Sequence, residues 1–351
     1  MEPIKVRFGV LLEPGKAEVR EGELPPLKPD ELLLKMEVCN ICTEDYQRWM
    51  GLRSFKSPMA DGHEYIGRII AKGDGVSELF HVGDRVGKFN QQCGVCDDCK
   101  TGNTGDCLYA IPKAIGLEEY YGMKGFASYK ILPQQLALHV SNEIPAEEAA
   151  FLEPLATVNQ GVKRLRVKPL ETVVVMGLGT MGLLNAQVVN LIGAHLIMTE
   201  ISDKKIRRAS ELNLGKIVDS RKTDPVAEVM KLTDGKGADA VIFAIGNGIA
   251  YQQGYHMLKK FKGRLLFFAA GYPAPDFSFS PNDLHYRKME FIGTINADNA
   301  DFLDASKMLS KRMIDVSKCL EGVTIPLSDY AIALATASKP DSYRISVDLQ
   351  K

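Results

Sequence analysis

Apolar and polar positions change rhythm twice along the chain. Up to about residue 150, short apolar runs at 32–38, 66–72 and 126–132 are separated by turn-rich clusters such as Lys72-Gly73-Asp74-Gly75 and His81-Val82-Gly83-Asp84. That pattern predicts a β-rich segment. From Pro145 the spacing turns helical, and it breaks at Glu153-Pro154. Proline suits the first position of a new helix, so Glu153 is expected at a boundary with its side chain free. Strands and helices then alternate. Strands are expected at 172–176, 195–199, near Ile217, and at 240–244, 264–269 and 290–295, with helices at 183–192, 202–212, 225–232 and 249–261. This alternation predicts an α/β architecture with a doubly wound parallel sheet. The last 55 or so residues are too few for a third domain and are expected to return to the first.

The run from Glu171 to Glu200 carries the strongest local signal. Residues 172–176 are mostly β-branched and without polar interruption, as in a parallel strand covered on both faces. Gly177, Gly179 and Gly182 follow as G-x-G-x-x-G, then a helix, then a second strand ending in Glu200. The first glycine allows the tight turn, the second lets backbone approach a pyrophosphate, and the third lets helix pack on strand. Gly177, Gly179, Thr180, Met181, Gly182, Glu200 and Lys205 are therefore the expected dinucleotide contacts. A carboxylate at Glu200 accepts ribose hydroxyls and repels a 2′-phosphate, which favours NAD(H). The basic side chains that follow, Lys204, Lys205, Arg207 and Arg208, read mostly as an exposed helix face.

At 351 residues the chain exceeds one compact core, so two domains are expected. With 45% hydrophobic and 25% charged residues it has a globular composition, and no apolar run is long enough to cross a membrane. The first residues place charges on both sides of a short apolar stretch, unlike a signal peptide. A net charge of −1 without a long basic run argues against nucleic-acid and membrane-surface partners. Four of the seven cysteines fall within fifteen positions, which suggests thiolates kept reduced for a metal in a cytoplasmic protein.

Cys93, Cys96, Cys99 and Cys107 form C-x-x-C-x-x-C, a seven-residue gap and a fourth cysteine. Four thiolates fill a tetrahedral zinc shell and leave no position for substrate, so this is expected to be a structural site; a binuclear iron–sulfur cluster is the alternative. A second set is dispersed: Cys42, His63-Glu64 and Glu153. Each alone reads equally as packing or as a helix-start carboxylate. Together, one thiolate, one imidazole and one carboxylate leave an open position at which zinc polarises a substrate oxygen. Cys39 and Cys319 are expected to be small buried hydrophobes.

These residues resemble the zinc-dependent medium-chain dehydrogenases, in particular their sorbitol or polyol dehydrogenase branch. ICTED is similar to that family's ICGSD, DGHEYIG to its GHE segment, LEPL to its E-P-L motif and GLGTMG to its NAD fingerprint. The resemblance implies a GroES-like catalytic domain over residues 1–154 and 292–351, with a zinc lobe at about 90–110, and a Rossmann NAD-binding domain over 155–291. It also implies a homodimer or homotetramer paired through Rossmann edge strands, and two Zn²⁺ per chain. Cys42, His63 and Glu153 become catalytic zinc ligands, and Glu64 a neighbouring carboxylate able to exchange with water on the metal.

The expected activity is interconversion of a secondary alcohol of a polyol, sugar or cyclitol with its ketone, by hydride transfer to NAD. The chain departs from the family at four positions. Glu44 stands in place of a relay hydroxyl, Gln47 in place of a relay histidine, Arg48 in place of an aromatic side chain, and Asn296 in place of a substrate-binding arginine. Glu44 or a water beside Glu64 is the expected proton acceptor, with the Thr43 hydroxyl as the alternative. Arg48 reads either as a partner for a substrate carboxylate or phosphate, or as a solvated arginine. Alternatives of other kinds are a reductase of a sugar phosphate or keto-sugar acid, and a non-enzymatic zinc and nucleotide binder.

Overall fold

The computed structural model describes residues 3–110 and 115–351. The chain divides into two compact units, one formed by residues up to Ala156 with Ala297–Lys351, the other by Thr157–Asn296.

In the first unit, β1 (Ile4–Glu13) and β2 (Lys16–Leu24) form a hairpin whose turn needs Gly15 at φ +74°. The main sheet is built from β3 (Glu31–Asn40), β4 (Glu64–Lys72), β5 (Arg85–Lys88), β6 (Tyr129–Pro133) and β7 (Ala137–His139). Late in the chain come β14 (Leu320–Pro326) and β15 (Arg344–Asp348). Their order is β14-β15-β3-β4-β5-β7, with β6 added on β3. Apolar residues of β3 and β4, among them Leu32, Leu34, Met36, Tyr65 and Ile69, pack with Phe126, Tyr330 and the C-terminal strand in one core. The last 55 residues close this sheet because β15 runs antiparallel to β3, pairing Ser346 with Asn40. Cys39 and Cys319 are fully buried.

The second unit is a six-stranded parallel sheet: β8 (Thr172–Met176), β9 (His195–Glu200), β10 (Lys216–Asp219), β11 (Ala240–Phe243), β12 (Arg264–Phe267) and β13 (Glu290–Gly293). The order β10-β9-β8-β11-β12-β13 reverses beside β8, the doubly wound arrangement. Helices Thr180–Ile192, Asp203–Glu211, Pro225–Leu232 and Gly248–Met257 connect the strands. Ser202, Asp224 and Asn247 cap the last three by accepting N–H bonds.

Three boundaries differ from expectation for local reasons. The helix after Glu153 begins at Leu152, so Pro154 is its third residue; a first-turn proline removes an N–H that has no intrahelical acceptor. The fingerprint helix starts at Thr180, three residues before its apolar run. The helix expected to reach Phe261 stops at Met257, where Leu258 turns extended and pairs with Ala238.

The glycine fingerprint has the close contacts its spacing predicts. Gly177 lies at φ +87°, and a Cβ on Gly182 would sit 1.8 Å from the Gly177 carbonyl oxygen. Gly182→Ala is therefore expected to cost about 3 kcal/mol or more, because backbone has to move. Urea denaturation checks this, and a variant within about 1 kcal/mol of wild type would contradict the close packing.

Candidate active site

All candidate metal ligands belong to the first unit, and strand register brings them together. Asn40 at the end of β3 pairs with Glu64 at the start of β4, and Ile41 donates its N–H to the Ile345 carbonyl of β15. Cys42 follows at once and caps the helix Thr43–Trp49, its own N–H donating to Asp45 Oδ2 at 2.8 Å. His63 directly precedes β4. Its loop is clamped by the segment after Gly122: Lys124 donates its N–H to the Ala60 carbonyl, and Gly125 and Phe126 donate theirs to that of Asp61.

Ligand atoms of Cys42, His63 and Glu64 lie within 4.8 Å of one another. Those of Asp45, Asp61 and His63 do too. An imidazole has two nitrogens, so His63 can offer one to a metal beside Cys42 and the other to the carboxylates, which orients the ring. Glu153 stands outside both groups by that distance, but its charge acts on His63 and Glu64.

The crowding of acids acts on several of the titratable groups there. Burial, then the Glu64 charge, pushes the Cys42 thiol up. Burial raises Glu64 against the opposing pull of Arg344, while Asp45 is pushed up to about 7 by burial, with Asp61 adding to it. Burial works against the His63 imidazolium, yet Cys42, Asp45 and Glu153 outweigh it and hold its pKa well above the ordinary value. A thiolate, an imidazole and carboxylates that repel one another this way are a donor set suited to a divalent cation. Their spacing accommodates bonds of about 2.0–2.3 Å to one ion.

The arginine at the start of β15 is a site residue that the sequence did not reveal. Arg344 donates Nε to Glu64 Oε2 at 2.9 Å and a terminal nitrogen to Oε1 at 2.6 Å, and reaches the Thr43 hydroxyl at 3.4 Å and Cys42 Sγ at 3.9 Å. Asp45 and Asp61 were also missed. The Cys42-x-x-Asp45 spacing is that of a capping pair, a signal present in the sequence.

Two expectations change. Arg48 is not a free cation, because its guanidinium is taken by Asp61 and Glu44, and its remaining Nε is buried without a partner. Glu44 is correspondingly held by both Arg48 and Arg53. Gln47 and Arg48 stay on the helix that Cys42 caps. Asn296 follows β13 in the second unit, in a left-handed conformation at φ +60° that asparagine tolerates.

The four cysteines of the lobe are free thiols gathered around one point, all within 4.8 Å. Cys93 and Cys99 sulfurs stand 3.9 Å apart, Cys96 and Cys107 sulfurs 3.7 Å. Tetrahedral bonds of about 2.3 Å to one ion give edges of about 3.8 Å. Sulfurs divided between two irons stand further apart. Backbone N–H groups of Val95 and Cys96 donate to Cys93 Sγ and lower its pKa to about 6.

In the second unit, Gly179 caps the helix Thr180–Ile192, and the place its Cβ would occupy has no atom within 4 Å. That open backbone at the N-terminus of the helix offers a cradle for a phosphate. Glu200 is buried at the end of β9. Its Oε2 accepts from Leu178 N–H at 2.6 Å, and its Oε1 accepts from Ile201 and Ser202 N–H at 2.7 and 3.0 Å. It thereby ties the glycine turn to the sheet, with about one of four lone pairs left for a ribose hydroxyl. Met181 follows Thr180 in the first turn, and the Lys205 N–H donates to Ser202 Oγ at the next helix start.

Comparison with known proteins agrees with this chemistry. Residues 28–142 match the alcohol dehydrogenase GroES-like domain and residues 180–311 the zinc-binding dehydrogenase domain. The chain belongs to the zinc-dependent medium-chain dehydrogenases and is an oxidoreductase. Among its relatives, the sorbitol dehydrogenase of Halalkalibacterium halodurans is 28% identical over 305 residues, covering 86% of this chain and 87% of that protein. The sorbitol dehydrogenase of Bacillus subtilis is 26% identical over 260 residues, 71% of each. The fold is shared with benzyl alcohol dehydrogenase from Acinetobacter calcoaceticus, at a TM-score of 0.87, 20% identity and 99% coverage of both chains. It is shared also with a zinc-binding dehydrogenase from Sinorhizobium meliloti bound to NADP, at a TM-score of 0.85, 24% identity, and 98% and 99% coverage.

Proposed function

We propose that the protein is a zinc- and NAD-dependent dehydrogenase that interconverts a secondary alcohol of a polyol, sugar or cyclitol with its ketone. The observation that carries this reading is the convergence of Cys42, His63 and Glu64, with the Glu153 charge beside them, on one buried point. Cys42, His63 and Glu153 would hold the ion, which supplies Lewis-acid polarisation of the substrate oxygen and lowers its pKa. The four-cysteine lobe would hold a second, structural zinc.

The chain's own groups do the rest. Asp45 and Asp61 orient His63, and Arg344 draws the Glu64 carboxylate toward itself, leaving a coordination position for substrate. The hydroxyl proton leaves through the Thr43 hydroxyl, which accepts a bond from Arg344 and keeps its own proton to pass on. Glu44 serves less well there, since its carboxylate is already engaged by Arg48 and Arg53. A bound nicotinamide would supply the acceptor for hydride from the carbinol carbon, and the Glu200 carboxylate favours NAD by repelling a 2′-phosphate.

The test is NADH formation by zinc-loaded protein over a panel of polyols, cyclitols and sugar acids, repeated with NADP and after chelation. Metal-dependent turnover with NAD, at two zincs per chain, is the expected result. Silence across the panel with zinc and NAD both bound would overturn it, and equal efficiency with NADP would overturn the cofactor assignment.

A further inference from the structure

His63 is shared by two donor sets, and only one of them contains a thiolate. The first joins it to Cys42 and Glu64, the second to Asp45 and Asp61. Two carboxylates and an imidazole are also a donor set for a divalent cation, and they suit harder ions than a thiolate does. The centre therefore has to settle which set the ion takes.

The two acids of the second set are engaged to different degrees. Asp61 has both oxygens occupied: Oδ1 accepts the Met123 N–H at 3.1 Å, and Oδ2 accepts from a terminal nitrogen of Arg48. Asp45 Oδ2 accepts the Cys42 N–H, while its Oδ1 is buried without a partner. Arg48 is thus the side chain that keeps Asp61 from standing beside His63 in the same condition.

The helix that Cys42 caps delivers Arg48 to this place. Glu44, one turn earlier, takes the other terminal nitrogen of the guanidinium, and Arg53 holds Glu44 in turn at 3.1 Å. The guanidinium is fixed at both ends, with Nε buried and unbonded, a cost that filling space alone does not require. Arg48 and Asp61 side chains are 14% and 12% exposed, so water screens the pair little. Without the guanidinium, Asp61 Oδ2 and Asp45 Oδ1 would both stand unpaired near His63, a demand that a cation satisfies.

We propose that Arg48 is a positioning residue that withholds Asp61 from the ion, so that His63 serves the set holding the Cys42 thiolate and not the set holding Asp45 and Asp61. This rests on the metal centre proposed above and deepens it. Arg48 takes no part in binding substrate; it selects zinc over harder cations.

The experiment uses the full chain, chelated until one zinc per chain remains, since the closed four-thiolate lobe is expected to hold its ion longest. Mn²⁺ is the probe, because it prefers oxygen donors and its free form is counted by electron paramagnetic resonance. Wild type should bind Mn²⁺ weakly. Arg48→Met should bind it about 10-fold more tightly or better, and Asp61→Asn on that background should remove the gain. Alkylation of Cys42 by iodoacetamide, read by mass spectrometry of its peptide, should be slowed by zinc in wild type but not by Mn²⁺ in Arg48→Met. A role as a mere tie between helix and loop predicts the opposite, weaker binding of every ion in the variant. Unchanged or weaker Mn²⁺ binding in Arg48→Met, or a gain that survives Asp61→Asn, would overturn the proposal. Should Arg48→Met fail to fold, Arg48→Gln, which keeps a donor and loses the charge, decides in its place. Zinc that leaves Cys42 alkylation unslowed in wild type removes the metal centre itself, whereas protection by zinc without the Mn²⁺ gain removes only the role of Arg48.

Discussion

Replacing His63 with alanine is expected to lower kcat/KM by roughly three orders of magnitude or more and to remove one metal per chain. The imidazole is the one side chain shared by the Cys42–Glu64 group and the Asp45–Asp61 group. Without it, Cys42 and Glu64 face each other across a gap with no neutral donor, and Asp45 loses the partner that opposes its burial. With one of three expected ligands gone the ion is held weakly, and the polarisation it supplies is lost. Metal content by mass spectrometry of the intact protein separates the two sites. The lobe cysteines should keep their ion, so the stoichiometry should fall by one and not by two. A variant that keeps full metal content and wild-type turnover would show that the metal centre is elsewhere.

The chain states some of this site openly and conceals the rest, and sequence distance explains which. The glycine fingerprint lies within six residues, and its three tight or open contacts are local, so spacing alone shows them. The lobe is legible for the same reason: four cysteines within fifteen positions converge without help from distant strands. Cys42 and His63 stand out because each sits in a short recognisable segment. Arg344 has no such signal. It lies 280 residues from Glu64, and only the sheet order β15-β3-β4 brings it there.

The misreading of Arg48 had a remedy in the sequence. Glu44 and Arg48 are four apart on one helix, a spacing at which opposite charges pair, and that pairing competes with any substrate role.

Arg344→Met is expected to destabilise the metal-free protein by about 3–5 kcal/mol, the second-largest effect foreseen here. Arg344 and Glu64 are 5% and 1% exposed, so solvent barely screens the pair. Removing the guanidinium leaves a carboxylate whose pKa burial already raises, with Glu153 pushing the same way. The loss therefore measures the uncompensated charge and not the worth of the pair, and the double variant Glu64→Gln with Arg344→Met should recover most of it. The metal-loaded enzyme should respond differently. Both Glu64 oxygens are now occupied by Arg344, and without it the carboxylate is free to take the coordination position intended for substrate. Metal should be retained more tightly while kcat falls, a pairing of effects that general loosening of the fold would not produce. Urea denaturation with and without zinc, alongside chelator-release kinetics, reads both arms. A cost below about 1 kcal/mol in the metal-free protein, or metal lost faster than from wild type, would show that Arg344 does not hold Glu64 back.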